Sequence, residues 1–305
     1  MKTRSLVSLL AVPAAAAVAA LALTGCSAGA SGATSDGELS VVASTNVYGD
    51  IARTIAGDAV KVTSIMDNPS QDPHSFEASA QNQLALSKAD VIIENGGGYD
   101  DFMDTMLNAG GTKKATVINV VDLSGKKAAG GELNEHVWYD FPTVQKLTDK
   151  LVDVLSKADA SQAAEFKKNG DAFTAGLTGL ENREAQLKQQ YAGAGVTVTE
   201  PVPLYMLDAI GLENKTPEAF SAAIEASTDV SPAVLQQTLD LFSGGSVKLL
   251  AYNEQTSGPE TEKVLSAAKK AGVAIVPVTE TLPSGKDYLS WMTSNLDAVA
   301  KGLAE

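Results

Sequence analysis

Cysteine, histidine and basic residues are scarce in this chain. Its 305 residues include one cysteine and two histidines, and 23 lysines and arginines stand against 37 aspartates and glutamates. One cysteine excludes a disulfide within the chain, so the fold must be held by its hydrophobic core alone. The acidic balance argues against nucleic acid as a partner, because both would carry negative charge. The chain is longer than one typical domain requires, and two lobes are therefore expected.

The first 25 residues have the pattern of a bacterial lipoprotein export signal. Lys2 and Arg4 precede a run rich in alanine and leucine over residues 6–23, and small residues lead directly into Cys26. This pattern predicts cleavage before Cys26 and a lipid on that cysteine, which would hold the protein at the extracytoplasmic face of the cell membrane. A proline within the run and the polar residues after it argue against a membrane-spanning helix. An ordinary secretory signal is the alternative.

The segment after the lipid site predicts a tether. Removal of residues 1–25 takes away two basic residues and no acid, which leaves 21 basic against 37 acidic residues and a net charge of −16. Residues 26–37 are small or polar and predict a flexible linker with an r.m.s. reach of roughly 20 Å. A globular body is expected to begin at residue 38.

Short apolar runs alternate with amphipathic stretches along the rest of the chain. This alternation predicts parallel strands joined by helical crossovers, and so an α/β fold. In the first half, strands are predicted at 40–43, 60–65, 91–93 and 116–121, and helices at 48–56, 80–87, 102–109 and 142–157. A second strand–helix series is predicted at 196–199, 202–210, 232–242, 247–252, 260–271, 275–278 and 288–303.

A proline-free stretch over residues 160–191 separates the two series. Apolar residues recur in it at spacings of three, four and seven, which predicts one long helix. Three glycines weaken this helix by about 1 kcal/mol each, so it must depend on packing and its middle can be irregular. The apolar stripe consists of Phe166, Phe173, Leu177, Leu180 and Leu187. The expected organisation is a signal peptide at 1–25, a tether at 26–37, an N-terminal α/β lobe at 38–158, a linking helix at 159–192 and a C-terminal α/β lobe at 193–305.

Both histidines follow predicted strands. His74 lies in the sequence Asp72-Pro73-His74 beyond the strand at 60–65, and His136 lies beyond the strand at 116–121. Ligands of open α/β sheets bind outside the carboxyl ends of the strands, so both side chains are where a site is expected. Imidazole suits zinc, iron and manganese, whereas calcium and magnesium prefer oxygen ligands. The alternative is that each histidine is an ordinary loop or packing residue.

The second half contains no histidine and can complete such a site only with carboxylates. Glu200, Glu254 and Glu280 each follow a predicted strand, which makes all three candidate metal ligands. Glutamates are usually solvated surface residues. Sequence spacing alone does not choose among the three.

The Asp72-Pro73-His74 loop, the segment from Glu135 to Asp140, the lipid site and the two-lobe layout resemble one family. They are similar to the lipid-anchored substrate-binding proteins of bacterial zinc and manganese ABC importers. The resemblance implies two α/β lobes, each with a parallel sheet, bridged by one rigid helix, with a metal ion in the cleft between them. It further implies that the ligands are His74, His136, Glu200 and Glu280, and that Glu254 lies beside them or replaces one of them.

The same resemblance bears on the identity of the metal. Zinc-binding members often have histidine at the third ligand position and a histidine-rich loop in the first lobe, whereas this chain has Glu200 and no such loop. Two imidazoles and two carboxylates favour Mn(II) as the cargo. Zn(II) is still expected to bind at least as tightly, because affinity follows the Irving–Williams order.

The resulting hypothesis is capture of Mn(II) or Zn(II) outside the membrane and delivery to an ABC permease driven by its ATPase. No catalysis is required, and the protein is expected to be a monomer. One alternative is a binding protein for a ferric chelate or another organic ligand with the same architecture. Another is a surface metallohydrolase, which is disfavoured because the chain lacks an H-E-x-x-H motif and a third histidine to act as general base.

Overall fold

The structure, a computed structural model, describes residues 38–68, 71, 75–110, 114–128 and 133–305. Cys26 and His74 lie outside these residues, as do the predicted signal peptide and tether. Within the described part of the chain, no helix combines the length and the apolar character needed to cross a membrane.

Runs of β-branched residues build a parallel four-stranded sheet in the first lobe. Its strand order is β2-β1-β3-β4, and each crossover between neighbouring strands contains helix. The elements are β1 (Leu39–Thr45), α1 (Asn46–Ala56), β2 (Val60–Met66), α2 (Ala80–Ser87), β3 (Val91–Glu94), α3 (Asp101–Asn108), β4 (Thr116–Asn119), α4 (Val120–Ser124) and α5 (Phe141–Ala158), with short 3₁₀ helices at Gly57–Ala59 and Val137–Tyr139.

The strand predicted at 116–121 is shorter than expected. It ends at Asn119, whose side chain accepts a hydrogen bond of 2.9 Å from the backbone N–H of Asp122 and so starts α4. Gly125 ends that helix in the left-handed conformation. An asparagine cap and a glycine stop therefore outweigh the β-branched pattern of these residues.

The linking helix α6 (Ala163–Tyr191) runs without interruption for 29 residues. Its predicted apolar stripe is confirmed, because all five side chains are buried. The middle of the helix is regular despite its glycines, since two of them allow close packing. A Cβ on Gly170 would lie 2.5 Å from Val152 Cγ2 of α5, and a Cβ on Gly176 would lie 2.5 Å from Leu289 Cδ1 of the last helix.

The second lobe repeats the architecture with strand order β6-β5-β7-β8, again all parallel. Two of its elements, β6 and α8, fall between residues 211 and 231, where the sequence predicts no element. The elements are β5 (Gly195–Val198), α7 (Leu204–Ala209), β6 (Glu213–Asn214), α8 (Glu218–Glu225), α9 (Pro232–Asp240), β7 (Leu249–Asn253), α10 (Pro259–Ala271), β8 (Ala274–Val278) and α11 (Tyr288–Ala304). The chain thus has the two-lobe α/β fold that the sequence predicts.

A shared core and buried hydrogen bonds join the two lobes. One cluster of buried apolar residues includes β1 of the first lobe, α6, and β5 and α11 of the second. Asn46 forms a pair of 2.9 Å hydrogen bonds with the backbone of Leu282, and Asp50 accepts one of 2.8 Å from the backbone N–H of Tyr288. These contacts fix the side chains at the ends of one sheet relative to those of the other.

Candidate metal centre

Two glutamates meet at the carboxyl edge of the second sheet. Glu200 lies two residues beyond β5, and Glu280 lies two residues beyond β8. The strand between them, β7, ends at Asn253. The Asn253 Nδ2 donates to Glu200 Oε2 at 2.6 Å and to Glu280 Oε1 at 2.7 Å. One amide thus holds two carboxylates side by side.

The orientation of that amide is set by its neighbours. Asn253 Oδ1 accepts a hydrogen bond of 3.1 Å from the backbone N–H of Gln255, which leaves Nδ2 to face the carboxylates. The Gln255 side chain in turn accepts from the backbone N–H of Glu280 at 2.5 Å. Its Nε2 donates to the backbone carbonyl of Gln71 in the first lobe at 3.2 Å. Side chains and backbone of the protein therefore fix the positions of both carboxylates.

Burial makes this pair of carboxylates costly for the protein. Glu200 is 2% exposed and Glu280 is 1% exposed. Thr256 Oγ1 donates a further hydrogen bond to Glu200, but hydrogen bonds do not neutralise the charge of two buried carboxylates. A cation bound beside them would offset this cost.

His136 reaches the same region from the first lobe. Its ring is fully buried and packs edge-on against Trp138, with ring centroids 5.1 Å apart. Its Nδ1 lies 2.8 Å from Asn134 Oδ1, while Asn134 Nδ2 donates to the carbonyl of Pro201 at 3.0 Å. Because Asn134 therefore presents its oxygen to Nδ1, that nitrogen carries the hydrogen, and Nε2 is the nitrogen available to bind a metal.

The loop that carries His136 contacts the second lobe beside both glutamates. Asn134 binds the carbonyl of Pro201, the residue after Glu200. Tyr139 Oη donates to the carbonyl of Thr279, the residue before Glu280, at 2.8 Å. Two hydrogen bonds thus fix the position of this loop relative to the strand ends that carry the carboxylates.

Glu225, the last residue of α8, contacts His136 directly. Its Oε1 lies 3.3 Å from His136 Nε2. Glu135 completes a group with these two residues, in which one ligand atom from each lies within 4.8 Å of the others. An imidazole nitrogen and two carboxylates at such distances suit a divalent cation.

The ring of Tyr99 packs against that of His136, with ring centroids 5.8 Å apart. Burial raises the pKa of Tyr99 well above its ordinary value, and the negative charges of Glu280 and Glu225 raise this pKa further. The Tyr99 hydroxyl is therefore neutral and adds no negative charge to the site.

The structure brings some of the candidate ligands predicted from the sequence together and leaves others apart. Glu200 and Glu280 meet at Asn253, and His136 lies on the loop that contacts the neighbours of both. The side chain of Glu254 is exposed. His74 lies outside the described residues.

Sequence reasoning missed Glu225, Asn253 and Asn134. Glu225 lies on a helix that was not predicted, although Pro217 before Glu218 is a recognisable start signal for it. Asn253 follows the strand predicted at 247–252 and is the last residue of β7, but the prediction considered only carboxylates there and passed over this amide. Nothing in the sequence connects Asn134 with the His136 ring, because that contact depends on the conformation of the loop.

Comparisons with known proteins agree with this architecture. The sequence matches the model of the family described as zinc-uptake complex component A, periplasmic (ZnuA), over residues 41–302. It is 27% identical over 261 residues to the manganese-binding lipoprotein MntA of Bacillus subtilis, covering 83% of each chain. It is 26% identical over 303 residues to the manganese ABC transporter substrate-binding lipoprotein PsaA of Streptococcus anginosus, covering 93% of this chain and 96% of the relative.

Solved structures share the fold. The periplasmic zinc-binding protein TroA of Treponema pallidum superposes with a TM-score of 0.74 at 21% identity, over 88% of this chain and 100% of that one. The Mn²⁺ complex of FpvC from Pseudomonas aeruginosa gives a TM-score of 0.73 at 21% identity, over 88% and 99% of the two chains. Since the family model spans nearly all of the described residues, this chain belongs to the ZnuA family of substrate-binding proteins.

Proposed function

We propose that the protein captures one divalent transition metal ion outside the cell membrane and delivers it to an ABC permease driven by its ATPase. The observation that carries this proposal is the loop of His136, which is hydrogen-bonded beside both Glu200 and Glu280. An imidazole from one lobe and two buried carboxylates from the other therefore approach a common cleft. Membership of the ZnuA family and the names of the manganese-binding relatives support the same conclusion.

The proposed ligands are His74, His136, Glu200 and Glu280. Burial of the two glutamates supports their inclusion, because a divalent ion would offset the cost of burying two carboxylates that share the Asn253 amide. The exposed side chain of Glu254 supports leaving it out of the set. With four protein ligands, no coordination position remains for an activated water, which supports binding rather than catalysis.

Manganese is the favoured cargo. Carboxylate oxygens are harder ligands than imidazole and suit Mn(II), and the relatives named above for manganese support this choice. Zn(II) is expected to bind at least as tightly in vitro, so the supply of metal outside the cell decides which ion is carried. The acidic cleft also favours a bare cation over a ferric chelate, which would require basic partners.

The protein works as a monomer, held at the extracytoplasmic face of the membrane by a lipid on Cys26. The names of the relatives as lipoproteins support the anchor. Mass spectrometry of the mature N-terminus tests the lipid, and sedimentation of the unlipidated protein tests the monomer. Replacement of Cys26 by serine should release the protein from the membrane fraction.

Titration calorimetry of metal-stripped protein tests the site. The wild type should bind one equivalent of Mn(II) or Zn(II), and His136→Ala should lose affinity by about 100-fold or more, because a direct ligand is removed. Glu280→Gln should show a comparable loss. Glu254→Gln is the matched control, since it removes one carboxylate at the neighbouring strand end, and it should bind as the wild type does.

If the wild type binds neither Mn(II) nor Zn(II) at one equivalent, metal capture is refuted. Equal affinities of His136→Ala and the wild type would refute the ligand assignment alone. Delivery is tested by metal uptake into cells that produce the permease and ATPase together with either the wild type or His136→Ala.

A further inference from the structure

The side chain of Gln255 lies between the two lobes. It is partly buried and follows Asn253, the last residue of β7, by two positions. Its Oε1 accepts hydrogen bonds from the backbone N–H groups of Glu280 at 2.5 Å and Thr281 at 3.4 Å. Its Nε2 donates to Thr281 Oγ1 at 2.9 Å and, in the first lobe, to the backbone carbonyl of Gln71 at 3.2 Å. One amide thus contacts both lobes.

These partners determine which end of the amide faces which lobe. Backbone N–H groups can only donate, so the atom that faces Glu280 and Thr281 must be the Gln255 oxygen. The nitrogen then faces Gln71, whose carbonyl can only accept. A glutamate at this position would lack the donor when ionised, and an apolar side chain would lack both groups. A glutamine therefore matches both lobes at once.

The contact with Gln71 connects two edge strands. Gln71 follows β2, an edge strand of the first sheet, and its N–H closes a turn on the carbonyl of Asn68 at 3.1 Å. Glu280 lies two residues beyond β8, an edge strand of the second sheet. Gln255 thus joins the turn after one edge strand to the end of the other. Glu280 is a proposed ligand, and Gln71 precedes the proposed ligand His74 by three residues.

The loop of His136 is held against the second lobe by other groups. Tyr205 Oη donates to the backbone carbonyl of Asn134 at 2.6 Å. Tyr288 Oη donates to that of Trp138 at 2.5 Å. Loss of the glutamine amide would leave both hydrogen bonds in place, so its effect on the ion passes through the two strand ends and not through the imidazole.

We infer that Gln255 is a positioning residue that couples Gln71 of the first lobe to Glu280 of the second and so slows release of the bound ion. This inference rests on the proposed function. An ion bound by His74 and Glu280 is released when these two ligands separate, and the Gln255 amide opposes that separation. A neutral amide exerts no long-range attraction on a cation, so it acts on release and not on capture.

Stopped-flow measurement of Zn(II) binding, and of its release into an excess of a chromophoric chelator, tests the inference. Gln255→Met keeps the length of the side chain without its hydrogen bonds and should speed release by about 3–10-fold, because a neutral hydrogen bond between the lobes is lost. Association should stay within about twofold of the wild type. Gln145→Met is the matched control, since it removes the 3.4 Å hydrogen bond of another partly buried glutamine, to Glu181, and should leave both rates unchanged.

Gln255→Asn gives a second variant, which keeps the amide but is one methylene shorter. It cannot reach Glu280 and Gln71 together, and it should also speed release. Release at the wild-type rate in either variant would overturn the inference. So would a change confined to association, because the amide would then act on capture.

A double-mutant cycle separates coupling between the lobes from a local effect on Glu280. In the His74→Ala background, Gln255→Met should change the release rate by less than about twofold, because the ion no longer links the two strand ends. An undiminished change in that background would overturn the inference, since Gln255 would then act on Glu280 alone. If His74→Ala by itself binds as tightly as the wild type, the proposed ligand set fails instead, and the release rates of the two Gln255 variants still test the coupling.

Discussion

The two lobes position their candidate ligands by different means. The second lobe carries Glu200 and Glu280 within two residues of parallel strands and links them through Asn253, itself the last residue of a strand. The first lobe carries His136 on a loop after α4, held by Asn134 and by aromatic rings. One lobe uses the sheet edge and the other uses side-chain contacts.

The difference shows what fixes the ligand side chains of each half of the site in position. A carboxylate beyond a strand inherits its position from the backbone ladder of the sheet. An imidazole on a loop depends on contacts that bind the loop. Several of these contacts go to the other lobe, among them the hydrogen bonds from Asn134 to Pro201 and from Tyr139 to Thr279. The first lobe's ligand is therefore positioned partly by the second lobe.

Asn253→Ala is expected to have the largest effect on stability. The change leaves two buried carboxylates without their shared donor, and the free energy of unfolding of the metal-free protein should fall by about 3–5 kcal/mol. Urea unfolding measures this loss. The exposed neighbour gives the control, since Glu254→Gln should stay within about 0.5 kcal/mol of the wild type. In the E200Q/E280Q background, Asn253→Ala should cost clearly less. An undiminished cost would mean that Asn253 stabilises the strand end and not the carboxylates.

Glu184 on α6 predicts a pH dependence at the junction of the lobes. It is 6% exposed, and burial, followed by the charges of Glu181 and Asp140, raises its pKa to about 8. The folded protein keeps this proton up to about pH 8, whereas the unfolded chain releases it near pH 4.5. The free energy of unfolding therefore falls as the pH rises from about 4.5 to 8. Glu184→Gln should therefore match the wild type below pH 4.5 and exceed it by about 2–4 kcal/mol above pH 8.

Denaturant unfolding at pH 4, 6 and 8.5 checks this difference. Asp171→Asn on the same helix is the control, because its carboxylate is exposed and paired with Lys167, and it should shift stability by no more than about 0.5 kcal/mol at each pH. A constant difference between Glu184→Gln and the wild type across the three pH values would contradict the expectation.

Asn134 tests the first lobe's means of positioning. Asn134→Leu should lower metal affinity by about 10–100-fold, because His136 loses the acceptor that orients its ring. Asn134→Asp keeps an oxygen toward Nδ1 and should recover most of the affinity, although it loses the donor to Pro201. Calorimetric titration with Mn(II) measures both. Equal losses in the two variants would show that the contact with Pro201, and not the ring orientation, matters.

Most of the fold follows from local patterns, whereas half of the site does not. Strand–helix alternation and the stripe of α6 are properties of neighbouring residues, and the structure confirms both. The strand predicted at 116–121 was too long, because a cap at Asn119 overrides β propensity. Helix α8, which has only eight residues, was missed.

The contacts of the candidate site depend on tertiary structure. Strand ends in a parallel sheet share one edge, which made Glu200, Glu254 and Glu280 candidates, and the family resemblance then selected Glu200 and Glu280. It did not predict that Asn253 would link them or that Glu225 would contact His136, since both contacts join residues distant in sequence. The side chain of Glu254, the third candidate at a strand end, is exposed.

The glycines of α6 allow a direct comparison of how the helix packs against each lobe, and their substitution is expected to change the free energy of unfolding least. A Cβ at Gly170 meets Val152 of the first lobe, whose branched side chain has little freedom to move, and Gly170→Ala should cost about 1–2 kcal/mol. A Cβ at Gly176 meets the flexible end of Leu289 in the second lobe, so the gain in helix propensity should nearly cancel the strain. Gly179 has nothing within 4 Å of such a Cβ, and Gly179→Ala should stabilise the protein by about 0.5–1 kcal/mol. Thermal and urea unfolding of the three variants give the order directly. If Gly176→Ala proves as costly as Gly170→Ala, the linking helix is packed as rigidly against the second lobe as against the first.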